Sequence, residues 1–443
     1  MRVDRVEEDG SFIKMKKSTV RHLLLVLAYK ILLDLSFIFF LLPIYGHTTE
    51  IERTSNGQLD FFRLIVSYLI VFLAFAWLET IMKDKYRASR FVMLVQFIVV
   101  IAPFTALYAI LDYPLWQFAV IMMGFLLPVL LIRLIKTPHI PMLGQEGKLV
   151  LAAVIMALIF YTYIGLIING GLNRMNFDLL KVYEFRSEAG EHKFYLSGYL
   201  VPWTAYVFNM AILAYSVGRY RKNGLKYGIG ISLVFISQII LFGMTNSKSF
   251  LFLPFVVLGL MYCLRRMTVQ TAGLIGVVLA CGMLMGAYYI FGLPLAAGIM
   301  NRLFVIPSAM HSLYLQYFSS HDFALLQGTF GSLLGSSYQE SIISVIAQHY
   351  WGRVFSPNVG WIGDAYANFG VFGVVLFSVI LAGVLRVADG LGNKDIRPGV
   401  VEGILFGFAF GLTNSALLTS LLTGGFLAAI MSLWLMRSHY YQD

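Results

Sequence analysis

Charge is scarce in this chain. Only 13% of its 443 residues are Asp, Glu, Lys or Arg while 59% are apolar, a balance far from the roughly 25% charged content of soluble domains. That shortage excludes an ordinary soluble fold and implies a polytopic membrane protein. Cysteine is nearly missing as well. Cys263 and Cys281 both fall in apolar runs, which leaves no role for a disulfide framework. There is no Cys/His metal spacing, no P-loop to cradle a phosphate, no Gly-x-Ser-x-Gly nucleophile elbow and no repeat with a period of about 20 to 50 residues. The formal charge of +10 follows from basic loops on the cytoplasmic side of a membrane, so no nucleic-acid partner is expected.

What is present is apolar sequence in runs of about 20 residues, the length that crosses a hydrocarbon core. Residues 1–20 form a polar tail ending beside Lys14, Lys16, Lys17 and Arg21, and the run from His22 to Tyr45 starts from that basic side. It is too long for a signal-peptide core and lacks a small-residue cleavage site, so it reads as a retained helix. Further helices are expected at about 61–82, 91–112, 114–135, 148–169, 199–217, 227–243, 249–264, 268–291, 358–384, 399–413 and 420–436. The last two read as a broken pair or as one long tilted helix. The expectation is therefore an all-α integral membrane protein of about twelve spans, with residues 21–443 forming one membrane domain. Alternating sides from a cytoplasmic N-terminus places 23 Lys/Arg inside and nine outside, with Lys30 inside the first helix. Both termini then lie in the cytoplasm.

The segment from Asn301 to Gly370 breaks the apolar pattern. It carries Arg302, His311, His321, Glu340, His349, Arg353 and Asp364 among many Tyr, Ser and Gly. Amphipathic spacing (Leu313, Tyr314, Tyr317, Phe318, then Ile342, Ile343, Ile346) predicts interfacial or re-entrant helices within an outer loop, 292–357. A second outer loop, 170–198, holds Arg186, and the turn MTNSKS holds Lys248. Topology does not call for cations at these places. A basic group at an outer turn faces an anionic or aqueous pocket, or snorkels to lipid phosphates.

Four stretches resemble the Wzy family of bacterial O-antigen and oligosaccharide repeat-unit polymerases. They are the outer loop with Arg186 followed by SGYLVPW, then NSKSFLFLPFVVLGLMYCLRR with Lys248, then NRLFVIPS with Arg302 and Pro307, and finally NVGWIGDAYANFGVFGVV with Tyr366, Gly370 and Gly373. The resemblance covers roughly residues 170–385 and lies in the order and side of these stretches. Some family members place glycine after an arginine and ten residues. Here eleven residues separate Arg186 from Gly198, and Ser312 and Leu313 stand where the glycine after Arg302 is expected.

The resemblance implies a GT-C-like glycosyltransferase with a large outer loop, similar to O-antigen ligases. Such an enzyme moves a glycan from an undecaprenyl-pyrophosphate carrier to a lipid-linked repeat unit on the periplasmic face of the inner membrane, without metal or other cofactor. A Wzz-type chain-length regulator and membrane lipid are the other implied partners. Transfer needs cations for the charge that develops on the leaving diphosphate, and a base for the acceptor hydroxyl. Guanidinium groups suit the first task because they bind phosphate bidentately and stay charged. Arg186, Lys248 and Arg302 are the leading cations, with Arg353 next. Glu340, Asp364 and His311 are the leading base candidates. Tyr338, Tyr350, Trp351, Trp361 and Tyr366 are the aromatic candidates for stacking on sugar rings or anchoring at the interface. An O-antigen ligase is the alternative enzyme, and a flippase or transporter of lipid-linked oligosaccharide the alternative from another class.

Overall fold

The computed structural model of the chain describes residues 4–45, 60–83, 87–111, 113–178, 192–220, 223–328, 331–353, 355–392 and 396–440. Every regular element among them is helical, as expected where a bilayer offers no water to backbone N–H and C=O groups. In chain order the helices are α1 (Ser18–Ile44), α2 (Phe61–Glu79), α3 (Arg87–Ile110), α4 (Leu115–Leu134), α5 (Gln145–Ile168), α6 (Ser197–Arg219), α7 (Gly224–Thr245), α8 (Lys248–Cys263) and α9 (Val269–Phe291). Then come α10 (residues 294–318), α11 (Ile342–Trp351), α12 (Trp361–Leu391), α13 (Val400–Gly411) and α14 (Leu417–Arg437).

Ten of these, α1 to α7 with α9, α12 and α14, are long and apolar enough to cross a membrane. The other two expected spans fall short. α8 has 16 residues and α13 has 12, and at about 1.5 Å per residue neither matches a core about 30 Å thick. Residues 399–436 do not form one long helix: α13 ends at Gly411, and α14 is itself interrupted before Phe426, at Gly425 with φ +85°.

Proline shapes several helices. π-helical turns at Phe37–Leu41, Phe97–Ile101 and Asn301–Val305 each end two residues before a proline, Pro43, Pro103 and Pro307. Proline has no N–H for the carbonyl four residues back, so Phe39, Val99 and Leu303 lose their usual partner and the turn widens. Hydroxyls take over two of these places, as membrane helices require. Tyr289 donates to the Phe39 carbonyl at 2.6 Å, and Ser308 donates to the Val99 and Val100 carbonyls at 3.3 and 3.0 Å.

The chain divides into two compact units. Unit 1 comprises Met1–Thr80, Met93–Leu130 and Thr268–Val379; unit 2 comprises Ile81–Val92, Leu131–Met267 and Ile380–Asp443. In unit 1, α1 and α9 run side by side in the same direction, with Arg21 and His22 bonded to Thr271 at one end and Phe39 to Tyr289 at the other. α10 is sunk into this unit. From Pro307 to Phe318 only Gln316 is exposed, so this second half of the helix is buried all round rather than lying on an interface with one wet face, while the first half keeps Leu295, Ile299 and Arg302 exposed. Its serine hydroxyls explain the depth: Ser308 reaches the middle of α3 and Ser312 donates to Gln117 of α4.

Unit 2 is pinned by buried charge. Arg87 makes a two-pronged pair with Glu402 at 3.0 and 3.1 Å, and Glu402 also accepts the N–H of Gly399 at 3.0 Å. Asp389 accepts from the Ser89 backbone and hydroxyl and from Arg386. Arg437 donates to the carbonyls of Ile140 and Gly390. Basic residues that read only as topology signals in the sequence thus also hold the connections at one end of unit 2, where removing one partner would leave a buried charge unmatched.

Candidate functional site

The 301–370 segment builds one continuous piece of unit 1, because α10, the connection after it and the first turns of α12 are stitched together. Tyr314 of α10 donates to the Pro357 carbonyl and Tyr350 of α11 to the Leu313 carbonyl, each at 3.0 Å. Ser341 caps α11 by accepting the Ser344 N–H, and Gly352 closes it at φ +61°. Gly363 lets α12 approach α10, since a Cβ there would lie 3.4 Å from the His311 Cα and 2.4 Å from a Val359 methyl.

α12 is broken near its start. Phe369 and Gly370 leave the helical region, Gly370 with φ +61°, and a Cβ on Gly370 would lie 2.8 Å from the Phe323 ring. Only glycine meets both conditions without strain. Just before the break the Ala367 carbonyl is taken up by the connection after α10: Ala324 donates its N–H to it at 2.8 Å. Leu325 and Leu326, both at positive φ, turn the chain so that the Leu326 N–H reaches the Asn368 side chain at 2.7 Å. Asn368 donates in turn to the Asp364 carboxylate at 3.0 Å. Asp364 is therefore a half-buried, oriented carboxylate in the first turn of α12, where the helix dipole also favours its anion.

A second cluster is aromatic. His321 stacks on Tyr317 with ring centroids 4.0 Å apart and an interplanar angle of 5°. His349 meets Tyr317 edge-on at 5.0 Å and lies 5.7 Å from His321. Tyr338 packs against Phe318 at 6.0 Å and donates to the Asp322 carbonyl at 2.6 Å. Its phenol is pushed up, first by burial and then by Tyr317 and Asp322, so it remains a donor. Both imidazoles are exposed. Flat rings with hydroxyl and imidazole donors at their edges suit the apolar faces and hydroxyls of sugars.

The expected site residues divide by environment. Arg302, Glu340 and Arg353 are exposed, and the Arg353 guanidinium lies 5.4 Å from the centre of the Phe355 ring. Tyr338, Tyr350 and Trp351 are half-buried. Tyr366 is 9% exposed and packs on Trp116 and Phe323, and Trp361 is wholly buried, so of the five aromatics these two are core before they are sugar platforms. Lys248 opens α8, exposed, in unit 2, and Arg186 lies outside the described residues. Among the described residues no group of three or more His, Cys, Asp and Glu is arranged to hold a metal ion. No family model, curated protein or solved structure matches the chain.

His311 is fully buried, with Nδ1 donating to the Pro307 carbonyl at 2.6 Å and Nε2 without a partner among the described residues. Burial pushes its pKa down to about 4, so it is a neutral imidazole at pH 7. An unfolded histidine titrates near 6.5. The unfolded chain then binds the extra proton first, and stability falls as pH drops from about 6.5 towards 4, by about 2 kcal/mol at pH 5. The melting midpoint should fall over that range in the wild type and fall less in His311→Gln. An equal fall in both proteins would rule out His311 as the source.

Sequence reading missed Tyr317, Asn368 and Gln117 as polar contributors. Asn368 carried a signal, four residues after Asp364 and two before Gly370. Tyr317 carried one too, standing four residues before the His321 that stacks on it, whereas Gln117 carried none, because its partner Ser312 comes from a distant segment.

Proposed function

We propose that this chain is a periplasmic-face polymerase of the bacterial inner membrane, both termini cytoplasmic. It transfers a growing glycan from undecaprenyl pyrophosphate to a lipid-linked repeat unit, as the family it resembles does. The observation that carries this reading is the ordered Tyr317, His321, Tyr338 and His349 cluster, whose two imidazoles are exposed against the buried Tyr317 ring, in the same segment as the oriented carboxylate of Asp364 and the exposed Arg302. Stacking surface, base and cation are the three parts that glycosyl transfer needs. The bond between the anomeric carbon and the diphosphate oxygen breaks, the acceptor hydroxyl oxygen bonds to that carbon, and its proton goes to the base. The diphosphate leaves on its lipid, with Arg302 and Arg353 of the same unit available to balance its charge.

Asp364 is the favoured base because it is held in place by Asn368 in the first turn of α12. Glu340 is exposed on the turn before α11, and His311 needs its buried Nε2 uncovered before it meets any substrate. A transporter of lipid-linked oligosaccharide is the second reading. Lys30 and Asp34 favour it, as a buried ion pair in the middle of α1, since carriers keep such groups at membrane depth.

A strain lacking the protein tests these readings by its surface glycan. Single-repeat capping of lipopolysaccharide identifies a polymerase, loss of all long glycan a ligase, and accumulation of inward-facing precursor a flippase. Unaltered glycan in the deletion strain would sink all three.

A further inference from the structure

At the end of unit 2 where α6 meets α7 and where the chain leaves α8 and enters α13, a cavity of about 530 Å³ is lined by Val217, Gly218, Tyr220, Ile231, Arg265 and Arg397. Its walls come from three connections that the distribution of basic residues assigns to the cytoplasmic side. Among the described residues two cations line it and no acid does. Arg397 is anchored because one guanidinium nitrogen donates to the Gly218 carbonyl, which fixes the orientation of the planar fork. Arg265 is exposed and makes no hydrogen bond among the described residues. Its neighbour Arg266 is turned away onto the Tyr262 ring, 4.9 Å from its centre.

Two guanidinium groups in one concavity repel each other and favour an anion between them. The fork geometry matches phosphate oxygens in pairs. Tyr220 adds a hydroxyl donor, while Val217 and Ile231 supply an apolar wall of the kind that a glycerol or acyl fragment covers. The size lies within the range of small-ligand sites. We propose that this cavity binds a phosphate group through Arg265 and Arg397, and that the site is separate from the proposed glycan site of unit 1. The phosphate belongs to an anionic headgroup of the inner leaflet or to a free phosphate compound of the cytoplasm. The chemistry of recognition is the same for both.

The test uses the full-length protein, purified and delipidated in neutral detergent, with native mass spectrometry and thermal melting as readouts. Phosphatidylglycerol, phosphatidylcholine, inorganic phosphate and inorganic pyrophosphate are the probes. The expected result is retention of phosphatidylglycerol over phosphatidylcholine, with binding weakened about tenfold or more in Arg265→Gln, as loss of a charged hydrogen-bond donor implies. Arg266→Gln, outside the lining, should bind like the wild type. Displacement by millimolar inorganic phosphate or pyrophosphate assigns the site to free phosphate compounds; retention of the lipid in their presence assigns it to a headgroup. Both outcomes keep the phosphate site. Equal binding of all probes by wild type and Arg265→Gln would overturn it. Arg397→Gln removes a bond to Gly218 and can unfold the protein, so the exposed Arg265 carries the decision, with unchanged melting of the unliganded Arg265→Gln variant as the folding control.

Discussion

Lys30→Met alone should leave little folded protein, and adding Asp34→Leu should bring it back. Lys30 is fully buried near the middle of α1, with its ammonium 2.5 Å from the Asp34 carboxylate one turn on and 4.8 Å from the centre of the Tyr68 ring. Deep in a bundle the pair gains attraction that barely repays the water stripped from both ions. Removing one partner leaves the other charged and unmatched, at a cost of about 3 to 5 kcal/mol, whereas replacing both with apolar groups of similar volume is often neutral or stabilising. Detergent-solubilised yield and melting midpoint measure this directly. A double variant no more stable than Lys30→Met would show that the pair does more than balance itself. The same double variant divides the functional readings: a folded protein that still makes polymer treats the pair as architecture, and one that folds but has lost function treats it as part of a path for charge across the membrane.

The reach of the sequence followed the kind of physics involved. Hydropathy depends on neighbours in the chain, so all ten long spans were legible within a few residues at most ends. α8 and α13 were legible as short apolar helices, expected at 249–264 and 399–413 and found at Lys248–Cys263 and Val400–Gly411, so their short lengths were already written in the extent of the apolar runs. α10 shows the limit. Its alternating apolar and polar residues predict one wet face, but the polar ones, Ser308 and Ser312, find partners on α3 and α4 and take the helix inside. A hydroxyl looks polar in a sequence and becomes compatible with burial once a proline elsewhere has freed a carbonyl for it. Lys30 and Asp34 were visible at helical i,i+4 spacing, though Lys30 alone stood out as an intruder in an apolar run. The stacking of His321 on Tyr317 and the seating of Phe323 on Gly370 depend on turns whose backbone angles no composition announces.

Arg302→Ala should suppress glycan polymer about a hundredfold while the protein is made and folds normally. Arg302 sits on the π-helical turn Asn301–Val305 of α10, and its own side chain is exposed while Asn301, Phe304 and Val305 are buried. Truncation therefore opens no cavity. A cation held at an outward site by a rigid helix has its geometry set before the substrate arrives, and a preorganised donor to developing charge is worth about 10² to 10³ in turnover. Arg302→Lys should stay impaired, because a point charge does not reproduce a planar fork on two phosphate oxygens. Arg186→Ala should suppress polymer in the same way, and Lys248→Arg should be tolerated, since a compact charge at the start of α8 has less geometry to lose. If Arg302 and Arg353, both of unit 1, act on one diphosphate, their losses will not add, because residues that serve one group as a unit fail together. Polymer length and amount, read from gels of surface glycan at matched protein levels, decide the matter. Full polymer from Arg302→Ala would remove this arginine from the chemistry and leave contact with lipid headgroups as its account.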